Sequence, residues 1–189
     1  VLTNTHTPST VDIPVMKIWA DNDNQDGLRP AKITVNLYAN GEKVAHKDIT
    51  SETDWKETFT GLPKFKDGKK IVYTLQEERV ENYSPSIDQE SYTITNTHTP
   101  GKTTLSVTKQ WDDQEDKDGL RPKSVKVQLY ADGKKSGEVI ELSDENKWTH
   151  TFANLDKHVK GKAVTYTVEE VDVPTGYQVT KTDDGQGNV

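Results

Sequence analysis

The sequence predicts an all-β protein built as two tandem β-sandwiches. The chain repeats itself at a fixed spacing, and its apolar residues alternate with period two inside each copy. Gly, Pro, Asn and Asp interrupt the alternation about every 8 to 15 residues. In the first copy this places strands over residues 13–19, 31–39, 43–49, 55–60, 70–77 and 91–97, with the same order in the second and no convincing helix. Asn40-Gly41 and Asp132-Gly133 are the pairs that a tight hairpin with positive φ requires. The Thr-, Ser- and Pro-rich stretches over 5–13 and 97–103 read as linkers.

The repeat sets the domain count. Lys17-Ile18-Trp19 recurs as Lys109-Gln110-Trp111, and Asp26-Gly27-Leu28-Arg29-Pro30 as Asp118-Gly119-Leu120-Arg121-Pro122, both 92 residues apart. One inserted residue later, Trp55 aligns with Trp148 and Tyr73-Thr74-Leu75-Gln76-Glu77 with Tyr166-Thr167-Val168-Glu169-Glu170, 93 apart. Thr3-Asn4-Thr5-His6-Thr7-Pro8 is repeated as Thr95-Asn96-Thr97-His98-Thr99-Pro100, where it closes the first copy. The expected organisation is therefore a closing strand and linker of an upstream repeat over 1–8, a first repeat over 9–100, and a second over 101–189 that lacks its own closing strand. Val189 read into Val1 would supply a plausible one, as if the window were cut out of phase from a longer array.

Composition narrows the chemistry. The 189 residues carry 31 acidic and 24 basic side chains, a net charge of −7, and no cysteine. This excludes disulfides, thiol nucleophiles and thiolate metal sites. It also argues against nucleic acid as a partner, which needs clustered Lys and Arg. No stretch approaches the roughly 20 apolar residues of a membrane span, and no signal peptide is recognisable. No cofactor is expected. Hydrophobic residues make up 31% of the chain, and adding its glycines still leaves it below the ~45 to 50% of an ordinary domain. The core must be thin, or reinforced.

Alternation puts three polar residues on apolar faces. Lys109 lies in phase with Leu105, Val107 and Trp111, and Lys17 with Ile13, Val15 and Trp19. Asn96 shares a face with Tyr92 and Ile94, a phase that Leu2 and Asn4 reproduce. Glu77 follows Tyr73 and Leu75, and Glu170 follows Tyr166 and Val168, which selects them over Glu78 and Glu169. Taken singly, each lysine could snorkel at a strand end, each glutamate cap a rim and each asparagine end an edge strand. Three in phase, with Lys and Glu recurring in the second copy, favour a common site. A buried lone charge neutralises, so an uncharged lysine amine could attack the asparagine carboxamide while a protonated glutamate shuttles protons and ammonia leaves. The product is an amide cross-link that removes the buried charge.

These residues also carry a resemblance. Lys-x-Trp, the acidic stretch into Asp-Gly-Leu-Arg-Pro, Leu-Tyr-Ala, Tyr-Thr-x-x-Glu and Ile-Thr-Asn-Thr-His-Thr-Pro closely resemble the B-type repeats of collagen-adhesin-like (CnaB-like) surface proteins of Gram-positive bacteria, over nearly the whole chain. The resemblance implies reverse immunoglobulin-like sandwiches in a cell-wall-anchored adhesin stalk that holds a ligand-binding region away from the cell. It implies self-formed Lys-Asn isopeptide bonds between first and last strands, with the lysine at Lys17 and Lys109, the acid at Glu77 and Glu170, and the asparagine at Asn96 and Asn4. Pulling force would then pass through a covalent link. Neighbouring repeats are the expected partners, and host matrix would be bound through other regions. Asn4 of one molecule could complete the second repeat of another by joining Lys109 head to tail. The alternatives are direct binding of host matrix or carbohydrate, and an accessory domain of a secreted glycosidase.

Other motifs carry less. Setting Gly27 at the sixth position of a calcium loop puts Ile33, and in the second copy Val125, where a bidentate Glu belongs, so a solvated acidic loop is expected over 21–27. The five histidines lack zinc spacing, and His6 and His98 fall in polar linkers. Trp19, Trp55, Trp111 and Trp148 are expected in packing rather than in a sugar-stacking platform.

Overall fold

The computed structural model describes residues 1–183, which form two units divided between Thr99 and Pro100. Unit one contains β1 (Thr10–Ala20), β2 (Lys32–Ala39), β3 (Glu42–Thr50), β4 (Lys56–Pro63), the short hairpin β5 (Phe65–Lys66) and β6 (Lys69–Lys70), β7 (Tyr73–Glu77), β8 (Ser84–Asp88) and β9 (Thr93–Thr97). Its larger sheet has the order β4-β1-β9-β8 and its smaller one β3-β2-β7. The inward rows of the two sheets meet in one core that includes Ile13, Val15, Ile33, Val35, Leu37, Ile49, Phe59, Leu75 and Ile94. Period two holds along β1: Ile13, Val15 and Lys17 are buried, whereas Pro14, Met16 and Ile18 are exposed.

β1 changes partner along its length. Its first half pairs antiparallel with β4 up to Met16↔Lys56, and its second half runs parallel to β9 from Met16↔Thr93 to Ala20↔Thr97. The linker expected over 5–13 is shorter than its composition suggests, because Thr10 and Val11 pair with Pro63 and Leu62. Pro14 sits where β1 has only β4 as neighbour, so its missing N–H costs no second ladder. β8 had no alternating signal: Ser84-Pro85-Ser86-Ile87-Asp88 is an edge strand paired only with β9, and proline is tolerated there. The strand expected over 70–77 divides into β6 and β7. The hairpins turn as expected, with Asn40 and Gly41 at φ 50° and 88° and Asp132 and Gly133 at 47° and 76°.

Unit two repeats the plan with β10 (Lys102–Thr108), β11 (Ser124–Ala131), β12 (Lys134–Ser143), β13 (Thr149–Asp156), β14 (His158–Val159), β15 (Lys162–Ala163) and β16 (Tyr166–Val171). Its sheets are β10-β13 and β12-β11-β16, with β14-β15 a short hairpin. β10 begins at Lys102, inside the linker expected over 97–103, because Lys102 and Thr103 pair with Asp156 and Leu155. Among the described residues no strand follows β16; the expectation built on Gly187 to Val189 lies outside them. Residues 1–9 hold no strand and Asn4 is exposed; the repeat that a closing strand over 1–8 is expected to complete lies upstream of this sequence. No helix among the described residues is long and apolar enough to cross a membrane.

Candidate functional site

Three residues expected inside unit one meet there, and each comes from a different strand. Lys17 extends the buried row of β1, Asn96 lies on β9, and Glu77 reaches in from β7 in the opposite sheet. The parallel register sets Lys17 beside Ile94 and Trp19 beside Asn96, so lysine and asparagine occupy diagonal positions on one face. The side chains of Lys17 and Glu77 are 0% and 1% exposed, and Asn96 is fully buried. Lys17 Nζ lies 2.8 Å from Glu77 Oε1 in an ionic contact that is not aligned as a hydrogen bond. Asn96 Nδ2 donates to the same oxygen at 3.1 Å. One carboxyl oxygen therefore touches both the prospective nucleophile and the prospective leaving nitrogen.

Burial pushes the Lys17 ammonium below the ordinary lysine range, against the opposing pull of Glu77. The Trp19 ring lies beneath Nζ at 4.6 Å from its centroid, in a cation–π contact that holds the lysine in place. Asn96 Oδ1 has no hydrogen-bond partner among the described residues. A protonated Glu77 would be a donor for it after rotation of the amide. The arrangement can move a proton from Lys17 to Glu77 and on to the Asn96 nitrogen, with water excluded.

Unit two brings together two of its three expected residues. Lys109 Nζ donates to Glu170 Oε2 at 3.1 Å, with side chains 15% and 5% exposed, and Lys109 lies over Trp111 at 4.5 Å. Lys109 falls one residue beyond β10 yet keeps the backbone bond of its counterpart: Lys109 N–H donates to Trp148 O as Lys17 N–H donates to Trp55 O, both at 2.8 Å. Beside the pair opens a groove of about 500 Å³ lined by Trp111, Val127, Leu142 and Val168. Asn4 belongs to unit one and is exposed.

A second polar cluster, which reading the sequence missed, flanks the first. The stretch expected as a solvated acidic loop is anchored by Asp21, which is buried. Asp21 accepts from Arg29 Nη2 at 2.7 Å and Nε at 3.2 Å, from Tyr83 Oη at 2.8 Å and from the Asn24 amide at 3.0 Å. Burial alone would raise this carboxyl, but the Arg29, Asn24 and Tyr83 hydrogen bonds hold it below its usual range. Asn22, Asp23 and Asn24 all take φ between 51° and 58°, a left-handed turn that Asn and Asp tolerate best. Unit two copies the device. Asp113 accepts from Arg121 at 2.5 and 2.9 Å and from Tyr177 at 2.9 Å, and Arg121 holds its carboxyl well below the carboxylate range. The eight-residue separation Asp21…Arg29, repeated as Asp113…Arg121 in the second copy, was the available signal.

His98 is also misplaced by its composition. It is not in a free linker: its Nε2 lies 2.9 Å from Asp26 Oδ2 and its Nδ1 2.9 Å from Asn82 O. His6, from the identical hexapeptide, is exposed. The tryptophans pack as expected, Trp19 edge-on to Trp55 and Tyr83, and Trp111 to Trp148 and Tyr177.

The family model described as "Cna protein B-type domain" matches residues 13–97 and again 105–189. A "Collagen adhesin" of Staphylococcus aureus is 49% identical over all 189 residues, and the chain spans 16% of that protein's length. A crystal structure of two B repeat units of the S. aureus collagen binding protein is similar at 49% identity, covering 97% of this chain and 49% of that one, with a TM-score of 0.49. A single B repeat unit of the same protein aligns over 95% of both chains at 49% identity, TM-score 0.47.

Proposed function

We propose, from the premise that this chain belongs to the Cna protein B-type domain family, that it forms spacer repeats in the stalk of an adhesin on the bacterial surface. The stalk is anchored to the cell wall and projects a ligand-binding region outward. Unit one is locked by an isopeptide bond that it forms itself. The observation that carries the reading is the convergence of Lys17, Glu77 and Asn96 in a fully buried site, with one Glu77 oxygen 2.8 Å from the lysine nitrogen and 3.1 Å from the asparagine nitrogen.

The chemistry follows from the cost of the buried pair. Two charges taken from water into a dry interior lose several kcal/mol each unless fully compensated. Transfer of a proton from Lys17 to Glu77 neutralises both and leaves a free amine. That amine attacks Asn96 Cγ; Glu77 gives its proton to Nδ2, the Cγ–Nδ2 bond breaks, ammonia leaves, and Glu77 takes the surplus proton from the former lysine nitrogen and ends protonated. Lysine amine plus carboxamide gives secondary amide plus ammonia, with no net charge left inside. The partially exposed Lys109–Glu170 pair is open to the same chemistry when an asparagine-bearing strand lies beside β10. Asn4 of a second molecule, joining Lys109 head to tail, is one source of that strand.

The stalk reading is favoured over direct ligand binding because Trp19, Trp55, Trp111 and Trp148 are engaged in ring contacts inside their own units. Intact-mass measurement of the whole chain tests it. One ammonia is missing from the wild type, and the full mass returns in Lys17→Ala and Asn96→Ala. A full-mass wild type refutes the cross-link. On a denaturing gel, heat-resistant multimers abolished by Asn4→Ala support head-to-tail joining, and a single band refutes it.

A further inference from the structure

We propose that His98, clamped between Asp26 and the Asn82 carbonyl, is the positioning residue that fixes the register of β9 on β1 and so delivers Asn96 to Lys17. The proposal rests on the cross-link reading above and adds a residue to it.

Register is the weak point of the site. β9 meets β1 over five residues in a parallel pairing, and its sequence is Thr-Ile-Thr-Asn-Thr. A slip of one residue would turn Asn96 outward, which the buried face forbids. A slip of two keeps inward residues inward while removing Asn96 from its place diagonal to Lys17, either to a position directly opposite the lysine or to one further along β1, so alternation alone does not forbid it. Something beyond the strand must choose.

His98 is placed to do so. It lies two residues past Asn96, and its backbone N–H donates to Ala20 O at 2.9 Å, carrying the β1–β9 ladder beyond the Trp19↔Asn96 pair. Its ring is then held from two sides, by the loop that follows β1 and by the turn that precedes β8. Both ring nitrogens face acceptors at 2.9 Å: Nδ1 faces a backbone carbonyl, which can only accept, and Nε2 faces the Asp26 carboxylate. Two N–H groups satisfy both, so the clamp is complete for the imidazolium. The Tyr83 ring lies 5.5 Å from the imidazole and also bonds Asp21, which Arg29 neutralises. The charged and titratable groups facing His98 are therefore Asp26, Asp21 with its Arg29, and Tyr83. The hydrogen bond to Asp26 raises the His98 pKa against the smaller effect of burial. The clamp is thus present at low and neutral pH and is lost as pH rises through that raised value. The hexapeptide that carries His98 also occurs at Thr3 to Pro8, where it forms no strand. The peptide sequence alone does not make β9.

The test uses the whole chain, made by cell-free synthesis so that unreacted protein can be sampled and ammonia loss timed by intact mass from pH about 5 to about 9. Loss of a charge-assisted hydrogen bond should slow bond formation in His98→Gln about tenfold at neutral pH. It should also abolish the pH step that the wild type has and the variant lacks. His98→Arg, a permanent cation facing the same acceptors, should restore the rate and keep it flat across the step. Equal rates and equal pH profiles for wild type and His98→Gln overturn the proposal. If the wild type loses no ammonia at all, the cross-link reading has failed. The positioning role is then decided by hydrogen exchange at the residue-98 amide. Protection that falls with rising pH in the wild type and is absent in His98→Gln supports it; equal protection in both overturns it.

Discussion

The two units carry the same lysine–glutamate pair in different surroundings. In unit one Lys17 and Glu77 are sealed, with Asn96 delivered by a strand parallel to β1. In unit two Lys109 and Glu170 stand beside an open groove, 15% and 5% exposed, and β10 stops one residue short of the lysine. β1 continues through Ala20 because β9 pairs with Met16 to Ala20. The comparison separates two features: the lysine and glutamate are brought together by the sandwich core, which both units have, whereas the fully buried pair is the one with β9 beside β1. The described core reflects this. Unit one buries Ile94 fully from β9, and the core of unit two, centred on Val107, Val127 and Leu142, has no such contribution among the described residues.

Preventing the proposed cross-link should have the largest effect. A bond between residues 17 and 96 closes a loop whose entropy stabilises by roughly 4 to 5 kcal/mol. Glu77→Ala, which stops the chemistry while sparing both bonded residues, should lower the melting transition of unit one toward that of unit two in scanning calorimetry. Glu170→Ala should leave the unit-one transition where it is. An unmoved first transition in Glu77→Ala would remove the claimed difference between the units.

Next in size is the Asp21 cluster. Asp21→Ala leaves a partly buried guanidinium and a tyrosine hydroxyl unpaired, which should cost about 3 kcal/mol in chemical denaturation. Asp113→Ala, in a more exposed copy of the device, should destabilise unit two by less. Equal losses would contradict the ranking by burial.

pH sharpens the contrast with opposite signs. Both aspartates have folded pKa values below their unfolded ones, so their contribution is present above about pH 4 and is lost in both units as pH falls through the folded values. His98 has a raised folded pKa, so its contribution is full below about pH 6.5 and is lost as pH rises through the raised value. Only unit one should weaken on the alkaline side of neutrality, which denaturation at several pH values in the uncross-linked Glu77→Ala chain would reveal.

The smallest effect concerns a turn. Asp54 and Lys147 occupy matching left-handed positions at φ 54° and 55°. Aspartate tolerates this conformation better than lysine. Lys147→Gly should therefore stabilise unit two by up to about 1 kcal/mol, and Asp54→Gly should change unit one less. The midpoints of urea unfolding compare them.

Much of this was legible in the chain. Alternation placed Lys17, Glu77 and Asn96 on inward faces, because side chains in a strand must alternate and the core rows of Val, Ile and Leu set the phase. β8 was not legible, since an edge strand rich in Ser and Pro has one neighbour and little need of an apolar face. Asp21, Arg29, Tyr83 and His98 escaped because each looks like a solvated loop residue until distant segments fold against it.

The sequence by itself determined the two-copy architecture, the strand faces and which three polar side chains point into the core of unit one, all consequences of local periodicity and self-similarity. Tertiary structure alone decided which carboxyl oxygen meets which nitrogen, and that Thr95 to Pro100 closes a sheet while the identical Thr3 to Pro8 does not. A strand is completed by its neighbour's free N–H and C=O groups, and those belong to residues far away in the chain.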